Sequence, residues 1–415
     1  MKPKKLIVIG GGAAGFFCAI NAARSRPGLQ VVILEKTGKL LGKVRASGGG
    51  RCNVTHACFE IPELVRYYPR GQQFLKKAFH WFHPKNTIDW FAERGVILKT
   101  EADGRMFPVT DRSETIVQCL LQEADKWKVS VQVNQVVTGI DRLADGFEIK
   151  LQDGQKLAAD YVCIASGGYA QTNLFNWLLT TGHTVQAPVP SLFTFNMPGN
   201  SINRLMGISL ENVRIKLTGS KLETRGPLLI THWGFSGPAV LKLSAWGARE
   251  LAEKAYRFQI QVNWLGEETE NSLRERWQTL RNQYASQPVG PRNPFGLPNR
   301  FWQYLLEVCG IQEDQRWGEF KAAAQQHLIR CLTAQSFDIS GKTTFKEEFV
   351  TCGGISLSEI DPNTMQSKKL TGLYFAGEVM DVDGLTGGFN FQHAWTSAWI
   401  AAKNIASVSS VAYRL

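Results

Sequence analysis

The chain has 415 residues, is 44% hydrophobic and 20% charged, and carries a net charge of +11 at neutral pH. This length exceeds one ordinary hydrophobic core, so two or three domains are expected, and the balanced composition excludes a disordered or fibrous chain. The basic residues are dispersed, without a run of five or more, which favours a solvated surface over a dedicated nucleic-acid patch.

The cysteines and the N-terminus bear on the compartment. The eight cysteines are scattered and form no C-x-x-C pair, so neither a zinc site nor a thioredoxin-like motif is expected. Scattered thiols in a long chain are typical of a reducing compartment. The N-terminus has a basic start and an apolar run, as a secretory signal does, but three glycines interrupt the run. No stretch reaches the roughly 18 apolar residues of a transmembrane helix. We therefore expect a cytoplasmic protein with no membrane partner and no metal.

An apolar run, a glycine-rich turn and an alanine-rich helix open the chain. The run is Leu6–Ile9, the helix is Ala13–Arg24, and Gly10, Gly12 and Gly15 between and within them form G-x-G-x-x-G. The first glycine permits the tight turn, the second lets the backbone approach a pyrophosphate, and the third allows close helix–strand packing. The helix N-terminus offers free N–H groups to that phosphate.

A second apolar strand, Val31–Leu34, ends at Glu35, twenty residues after Gly15. A carboxylate at this spacing accepts hydrogen bonds from the ribose hydroxyls of an adenosine. Together with the preceding strand, turn and helix it predicts a dinucleotide site. The motif alone leaves both FAD and NAD open.

The next segment, GKVRASGGGRCN at residues 42–53, contains four glycines, three basic residues and a cysteine. It is not a Walker-type loop, because no Lys and Ser/Thr follow the glycines in the required order. Metal binding is disfavoured because Cys52, His56 and Cys58 lack a second ligand pair. Taken alone, the segment is best interpreted as a mobile surface loop.

Residues 128–168 contain short strand-like runs separated by turn signals at Asp145–Gly146 and Asp153–Gly154. The last run enters a glycine turn at Gly167. A β-meander that returns to a buried strand is typical of large FAD-binding folds of the glutathione-reductase type, whereas a simple NAD dehydrogenase continues with βα repeats. An ordinary hairpin region stays open as an alternative for this segment by itself.

The middle of the chain changes character twice. Strand-like runs fill residues 191–264, and helical periodicity follows from Glu267, interrupted by a proline- and glycine-rich linker at 286–300. No second G-x-G-x-x-G follows a strand between residues 190 and 345, so no separate nicotinamide domain is expected. The predicted domains are the first part of an FAD-binding domain (1–190), a β-rich module (191–265, with about 335–345 returning to it), a helical module (266–335) and the second part of the FAD-binding domain (346–415).

Near the C-terminus a strand, Leu373–Ala376, runs into Gly377–Glu378, and a Gly387–Gly388 turn then opens an apolar helix from about Phe391. This arrangement resembles the second FAD-binding motif of the same fold, in which the acidic residue holds a ribityl hydroxyl. The FAD domain is then discontinuous and is built from both ends of the chain.

Four stretches carry a wider resemblance: IGGGAAG, LEKTGKLLGKVRASGGGRCNVTH, ADYVCIASGG and the segment from TFKEEFV to FNFQHAW. Together they resemble the bacterial NAD(FAD)-utilising dehydrogenase, or aminoacetone-oxidase-like, flavoprotein family, which includes a bile-acid 3-oxo steroid reductase. The resemblance covers essentially the full chain. It implies an α/β, glutathione-reductase-type FAD-binding fold, Rossmann-like and discontinuous, with an inserted β-rich barrel-like module and a small helical module.

The resemblance also assigns residues to FAD by position. It implies pyrophosphate contacts from Gly10, Gly12, Ala13, Ala14 and Gly15, adenosine contacts from Glu35, Lys36, Val137, Ala165, Ser166 and Gly167, and ribityl or flavin contacts from Gly377, Glu378, Asp383, Gly387, Gly388, Phe389 and Asn390. Two positions depart from the family pattern. Ser166 stands where Thr is common, and Phe389 where Tyr is common, so a hydroxyl that could deliver a proton beside the flavin is missing.

Within such a fold, residues 42–53 pass the pyrophosphate and the flavin edge. Glycines there allow close backbone approach, and basic side chains offset the two phosphate charges. The segment is therefore predicted to be the second wall of the FAD site, through Lys43, Arg45, Ser47, Gly48, Gly49, Gly50, Arg51, Cys52 and Asn53.

The predicted function is that of an FAD-dependent oxidoreductase that moves a hydride through flavin N5 to or from a small organic substrate, such as an unsaturated ketone or an amine. NAD(P)H and O₂ are the candidate electron partners. The protein supplies orientation and a proton donor, for which His393, Cys352 and Cys52 are candidates, with a packing role open for each. The alternative is a flavin-containing nucleic-acid-binding or accessory protein without turnover. Dispersed basic residues disfavour a nucleic-acid partner, and the sequence leaves the oligomeric state open.

Overall fold

A computed structural model describes residues 3–343 and 350–407 of the chain. The helices in chain order are α1 (Ala13–Ser25), α2 (Gly42–Gly50), α3 (Ile61–Leu64), α4 (Gln72–Phe79), α5 (Pro84–Ala92), α6 (Ser113–Lys126), α7 (Pro238–Trp246), α8 (Ala248–Glu253), α9 (Glu270–Gln283), α10 (Asn299–Val308), α11 (Ala322–Ala334) and α12 (Phe389–Ser407). The strands are β1 (Lys5–Ile9), β2 (Gln30–Leu34), β3 (Thr55–His56), β4 (Leu98–Thr100), β5 (Arg105–Pro108), β6 (Ser130–Gln132), β7 (Val137–Leu143), β8 (Gly146–Leu151), β9 (Lys156–Ala159), β10 (Tyr161–Ile164), β11 (Val185–Pro190), β12 (Thr194–Asn196), β13 (Ser209–Leu217), β14 (Glu223–Ile230), β15 (Gly234–Ser236), β16 (Arg257–Asn263), β17 (Gln335–Ser340), β18 (Lys342–Thr343), β19 (Thr351–Ile355) and β20 (Leu373–Phe375).

A parallel sheet in the order β20-β10-β1-β2-β6 forms the centre of the first of two compact units. In its register Leu6 pairs with both Val31 and Tyr161. Strands β1, β2 and β10 are continuous apolar runs because a parallel sheet is buried on both faces. Helices α1 and α12 pack against each other and against this sheet. The unit comprises the described residues 3–191 and 350–407, so its sheet takes strands from both ends of the chain.

The predicted β-meander is confirmed. Strands β7, β8 and β9 form an antiparallel three-stranded sheet, and Phe147 pairs with Arg142 on one side and Ala159 on the other. The following strand, β10, leaves the meander and pairs in parallel with β1 and β20. The glycine turn after β10 is thereby brought beside the turn after β1.

The second compact unit comprises the described residues 192–343. Its sheet has the order β17-β16-β13-β14-β15-β12-β18, and every strand pairing in the described part of this unit is antiparallel. A βαβ nucleotide-binding element needs parallel neighbours, so this part of the unit contains none. Helices α9, α10 and α11 share one hydrophobic core with the sheet, through Trp277 and Trp302 among others. The strand-like and helical segments of the sequence thus meet in a single core.

No helix in residues 3–343 or 350–407 has the length and apolar character to cross a membrane.

Candidate functional site

The turn after β1 uses its glycines for two different reasons. Gly10 has φ +116°, and an ideal Cβ there would lie 2.3 Å from the carbonyl oxygen of Ala165. A Cβ on Gly15 would lie 1.8 Å from the carbonyl oxygen of Gly10. At Gly12, which is the N-cap of α1, a Cβ would meet no other described residue within 4 Å. The protein's own packing therefore requires Gly10 and Gly15, whereas Gly12 borders open space at a helix N-terminus.

Glu35 lies at the end of β2 beside this turn. Its Oε2 accepts a hydrogen bond of 2.8 Å from the Gly11 N–H, and its Oε1 accepts bonds of 2.9 Å from both the N–H and the hydroxyl of Thr37. These bonds fix the carboxylate at the edge where a ribose is predicted. The neighbouring Lys36 ammonium lies 5.3 Å from the centroid of the Tyr169 ring, in cation–π contact.

Residues 42–53 are more regular than the sequence suggested. The segment begins as helix α2 after Leu41, which has a left-handed conformation, and the helix is kinked at Ser47, Gly48 and Gly49. A Cβ on Gly48 would lie 2.8 Å from the ring of Phe107, whereas Gly49 and Gly50 border open space. The segment is therefore a short kinked helix with an open glycine corner, and a mobile loop is the wrong description.

The three basic side chains of this segment all contact carboxylates. Lys43 forms an ion pair with Glu378, which joins the segment to the C-terminal motif 335 residues away. Arg45 pairs with Glu114, and Arg51 pairs with Glu101 at 2.6 Å while its guanidinium stacks over Phe107. Of the three, Lys43 is the one whose partner is itself a predicted cofactor residue.

A second glycine turn opens α12. Gly387 and Gly388 both have positive φ, and a Cβ on Gly388 would lie 2.5 Å from the carbonyl oxygen of Thr55. The Asn53 amide, in the orientation that satisfies both of its neighbours, accepts from the Gly388 N–H and donates to the Thr55 carbonyl, each at 3.0 Å. The turn is therefore tied to the strand that follows the kinked helix.

The residues that flank this turn are held by further bonds. The Asn390 amide accepts from the N–H of Gly384 and donates to its carbonyl, each at 2.8 Å. Upstream, Glu378 Oε1 accepts from the Thr351 N–H at 3.0 Å, and the Gly377 N–H donates to the Ser397 hydroxyl at 2.9 Å. The main chain from Gly377 to Asn390 is thereby fixed on both sides of the turn.

Asp383 was predicted to contact the cofactor, and the structure gives its carboxylate protein partners. It is fully buried, forms a two-pronged ion pair with Arg70, and accepts a hydrogen bond from the Ser191 hydroxyl. Burial raises the pKa of Asp383, and the Arg70 charge opposes that rise. This buried pair anchors the segment that precedes the second glycine turn.

The three candidate catalytic groups are all buried. Burial raises the pKa of the Cys52 thiol to about 12, so the thiol is protonated at neutral pH. Cys352 is fully buried in β19. His393 is also buried, its Nε2 lies 3.2 Å from the Gly377 carbonyl oxygen, and burial lowers its pKa to about 4. None of the three is exposed as a proton donor to a dissolved substrate would be.

Tyr67 and His56 lie at the second turn, and neither was predicted to be a cofactor-binding or catalytic residue. The rings of Tyr67 and Phe389 stack with their centroids 4.3 Å apart. The His56 ring also stacks with Phe389, with centroids 4.6 Å apart. His56 Nδ1 donates to the Gly387 carbonyl at 3.0 Å. Burial lowers the pKa of His56 and raises that of Tyr67. The sequence signal for them is Phe389, which stands where a tyrosine is common, because another residue near this position must then supply the hydroxyl.

Several features fit a bound FAD. A Cβ at Gly12, Gly49 or Gly167 would enter open space, so the backbone there can be approached closely. Within the described residues, Thr351 Oγ1 and His393 Nδ1 are buried polar atoms without a protein hydrogen-bond partner. A buried polar atom of this kind is costly unless a ligand or water satisfies it. Open glycine corners, a free helix N-terminus and unsatisfied polar atoms are together what a dinucleotide cradle requires.

Comparisons with known proteins agree with this geometry. Residues 4–404 match the family described as HI0933-like protein Rossmann domain. The chain is 30% identical over 406 residues to the 3-dehydro-bile acid delta(4,6)-reductase of Clostridium scindens, covering 95% of this chain and 97% of that protein. It is 31% identical over 415 residues to the ribosomal RNA dihydrouridine synthase of Escherichia coli, covering 97% and 98%.

A solved structure shares the fold. The 3-ketosteroid-delta4-(5alpha)-dehydrogenase from Rhodococcus jostii aligns with a TM-score of 0.51 at 14% identity, over 97% of this chain and 98% of that one. At this identity the likeness concerns the fold alone. The expected α/β FAD-binding Rossmann fold with an added β-rich part is confirmed.

Proposed function

The chain belongs to the HI0933-like Rossmann-domain family and is an FAD-dependent oxidoreductase, and we propose that it reduces a carbon–carbon double bond conjugated with a carbonyl group. The observation that carries the proposal is the full-length likeness to two proteins whose names describe such reductions, a bile acid delta(4,6)-reductase and a dihydrouridine synthase. The C5–C6 double bond of uracil and the double bonds of a 3-keto-4,6-diene are both conjugated with a carbonyl. In each case the carbon farther from the carbonyl accepts a hydride and the nearer carbon accepts a proton.

When bound, FAD supplies the hydride transfer. We propose that the N-terminus of α1, with Gly12 to Gly15, holds the pyrophosphate, because that end offers open space and free N–H groups. Glu35 is proposed to hold the adenosine ribose. Lys43 and Glu378 are proposed to hold the ribityl side, because their ion pair joins the two walls of the cradle.

The proton is proposed to come from the aromatic stack at the second turn. His393, Cys352 and Cys52 are buried, whereas His56 and Tyr67 are partly exposed and stack on Phe389. The Nδ1 proton of His56 is already bonded to the Gly387 carbonyl, and burial lowers the pKa of this histidine, whereas the Tyr67 phenol keeps its proton at neutral pH, so Tyr67 is the proposed donor. Tyr67→Phe should then slow substrate reduction while leaving FAD bound and leaving flavin reduction by a chemical reductant unchanged. Equal rates of substrate reduction in Tyr67→Phe and the wild type would refute this role.

Uridine in structured RNA is the substrate class that we propose first. The net charge is +11, and residues 64–88 contain five Lys or Arg and no Asp or Glu. Within that segment Lys76, Lys77 and Lys85 are exposed, and the exposed fraction of Trp81 is 54%. Lysines that pair with phosphates and an aromatic ring on which a base stacks are the usual means of holding RNA. This proposal goes against the expectation drawn from the dispersed charge.

A steroid-type unsaturated ketone is the second candidate, supported by the 30% identity to the bile acid reductase. The accessory role without turnover is not favoured by relatives that are themselves enzymes. The two substrate classes differ in charge, so binding of RNA should weaken steeply with salt while binding of a ketosteroid should not.

The experiment compares the two classes on one preparation. The FAD-loaded protein is reduced anaerobically with dithionite and mixed with unmodified transcribed ribosomal RNA or with a 3-keto-4-ene steroid. Rapid flavin reoxidation by RNA, with dihydrouridine in the RNA by mass spectrometry, is the expected result. Reoxidation by the steroid alone would select the second candidate. Reoxidation by neither, at rates no faster than in buffer, would refute the proposed reaction. Reduction with NADH and with NADPH in place of dithionite tests the electron donor.

Charge reversal in the segment 64–88 tests the RNA proposal separately. The double variant Lys76→Glu, Lys77→Glu should raise the KM for RNA roughly tenfold or more while FAD stays bound. The matched control is Lys126→Glu, Lys156→Glu, which changes the net charge equally at two exposed lysines outside that segment. Equal KM values for the two double variants would remove this segment from the proposed RNA-binding surface.

A further inference from the structure

A cluster of thiol and imidazole groups lies in the unit of residues 192–343, which contains none of the residues assigned to the FAD cradle. Cys309 is the residue that ends α10, and His327 and Cys331 lie on α11. Their ligand atoms, two Sγ and one imidazole nitrogen, all lie within 4.8 Å of one another. No other group of three or more His, Cys, Asp or Glu side chains in the described part of the chain is brought together in this way.

The backbone explains why the three groups converge. His327 and Cys331 are four residues apart on one helix, so their side chains lie one turn apart on the same face. Cys309 reaches them from the C-terminal end of α10, which packs against α11. A helix C-terminus carries partial negative charge and favours a cation. Two helices therefore place three soft ligands around one point at which a cation is favoured.

The surroundings make the site both fixed and accessible. Cys331 is buried in the hydrophobic core of its unit, Cys309 is half-buried at the edge of that core, and His327 is exposed. A metal ion can therefore enter from solvent and meet two sulfur atoms that the core holds in position. The Cys309 and Cys331 sulfur atoms are in hydrogen-bond contact, so the two helices already bring both sulfur ligands together.

We propose that Cys309, His327 and Cys331 form a binding site for a divalent cation of the zinc class, with a fourth position open to water. Around a tetrahedral zinc, ligand atoms bound at about 2.0–2.3 Å lie roughly 3.3–3.8 Å apart, so modest side-chain movement closes the observed cluster on the metal. Binding releases the two thiol protons to solvent, and the dication with two thiolates and a neutral imidazole leaves the site without net charge. Paired C-x-x-C spacings, the absence of which predicted no metal site, do not reveal this set, because its three ligands come from two helices.

The test uses Co²⁺ as a probe on the FAD-loaded full chain, stripped of metal by a chelator and kept reduced under argon. We expect ligand-field absorption to the red of the flavin bands, saturating at one Co²⁺ per chain, and bleaching on addition of Zn²⁺. Cys309→Ser and Cys331→Ser should each abolish the absorption, and His327→Ala should weaken Co²⁺ binding at least about tenfold. Flavin absorbance and thermal melting show whether each variant is folded.

Cys119→Ser is the matched control, because it removes a buried cysteine from α6 in the other unit. It should leave the Co²⁺ spectrum and affinity unchanged. The proposal is overturned if reduced wild-type protein gives no such absorption, or if the spectrum is the same in the folded Cys309→Ser variant. Formation of a Cys309–Cys331 disulfide in air, together with no Co²⁺ binding after its reduction, would also overturn it and assign the pair to thiol redox chemistry.

Discussion

The two glycine turns at the FAD cradle look alike in sequence but differ in what they border. The turn that opens α1 leaves open space at Gly12, where a Cβ would meet no other described residue within 4 Å. The turn that opens α12 is packed, and a Cβ on Gly388 would lie 2.5 Å from the carbonyl oxygen of Thr55. The first turn therefore contains a glycine that the protein's own packing does not require, and the second contains one that it does require.

Because of this difference, substitutions at the two turns should affect different properties of the same unit, ligand binding at the first turn and stability at the second. A substitution at a glycine that borders open space costs the protein itself little, and most of the loss is expected only when the ligand is added. A substitution at a glycine that packs against the protein should lower stability even without the ligand, because neighbouring atoms must shift to admit the new side chain.

Gly12→Val should abolish retention of FAD while lowering the stability of the flavin-free protein by only about 1 kcal/mol, the cost of a poorer N-cap residue. A branched side chain at the N-cap of α1 would enter the space proposed for the pyrophosphate, and its Cβ would lie more than 4 Å from every described residue other than its chain neighbours. Flavin absorbance after purification and the melting temperature of the flavin-free protein measure the two effects. Gly139→Val, at a strand position where a Cβ lies 3.5 Å from the Lys150 side chain, is the control that should stay yellow. A fully loaded Gly12→Val protein would contradict the assignment of the first turn.

Gly388→Ala should lower the stability of the protein even without FAD. The residue has φ +94°, and its added methyl group would press on the Thr55 carbonyl, so about 1–3 kcal/mol is lost from backbone conformation alone. Urea unfolding of the flavin-free variant measures the change. An unchanged midpoint, with FAD binding lost, would mean that both turns serve the ligand and that the comparison fails.

His393, one turn into α12, should make the stability of the protein depend on pH. Its pKa in the folded protein is about 4, below the ordinary value of 6.5, so the unfolded chain binds the proton more tightly. The stabilisation of about 3 kcal/mol is complete above pH 6.5 and is lost as the pH falls towards 4. Urea unfolding between pH 7 and pH 4 measures the slope, which His393→Gln should reduce. A slope that is identical in wild type and variant would show that His393 does not titrate as proposed.

Cys52→Ser should have the smallest effect. The thiol is buried and its pKa is raised to about 12, so it is not a nucleophile at neutral pH, and serine is of similar size. FAD should stay bound and turnover should change less than about twofold, the range expected when no reacting group is removed. Loss of flavin reoxidation with FAD still bound would instead identify Cys52 as a redox group.

Much of the first unit could be predicted from sequence because its signals are local. The strand, the glycine turn and Glu35 lie within thirty-five residues. The turn signals Asp145–Gly146 and Asp153–Gly154 predicted the two hairpins of the meander. What could not be predicted depends on side chains that meet over long separations. His56 reaches Gly387 across 331 residues, and Arg70 reaches Asp383 across 313. Periodicity identifies which residues are buried but not which of them meet.

The second unit shows the same limit in another form. Its strands and helices were recognisable, but their shared core was not, because nothing in the spacing of apolar residues shows that two modules pack together. The cluster of Cys309, His327 and Cys331 was missed for the same reason. Each of these residues alone resembles an ordinary core or surface residue.

The parallel sheet of the first unit has a consequence for the order in which the protein is made. Strand β10 ends at Ile164, but its neighbour β20 begins only at Leu373. A ribosome adding about 5–20 residues per second needs roughly 10–40 s to cover that distance. During this interval the first glycine turn exists without Glu378 or the second turn. On the proposed assignment the FAD site is complete only late in synthesis, and a chain released before β20 would leave one edge of β10 unpaired.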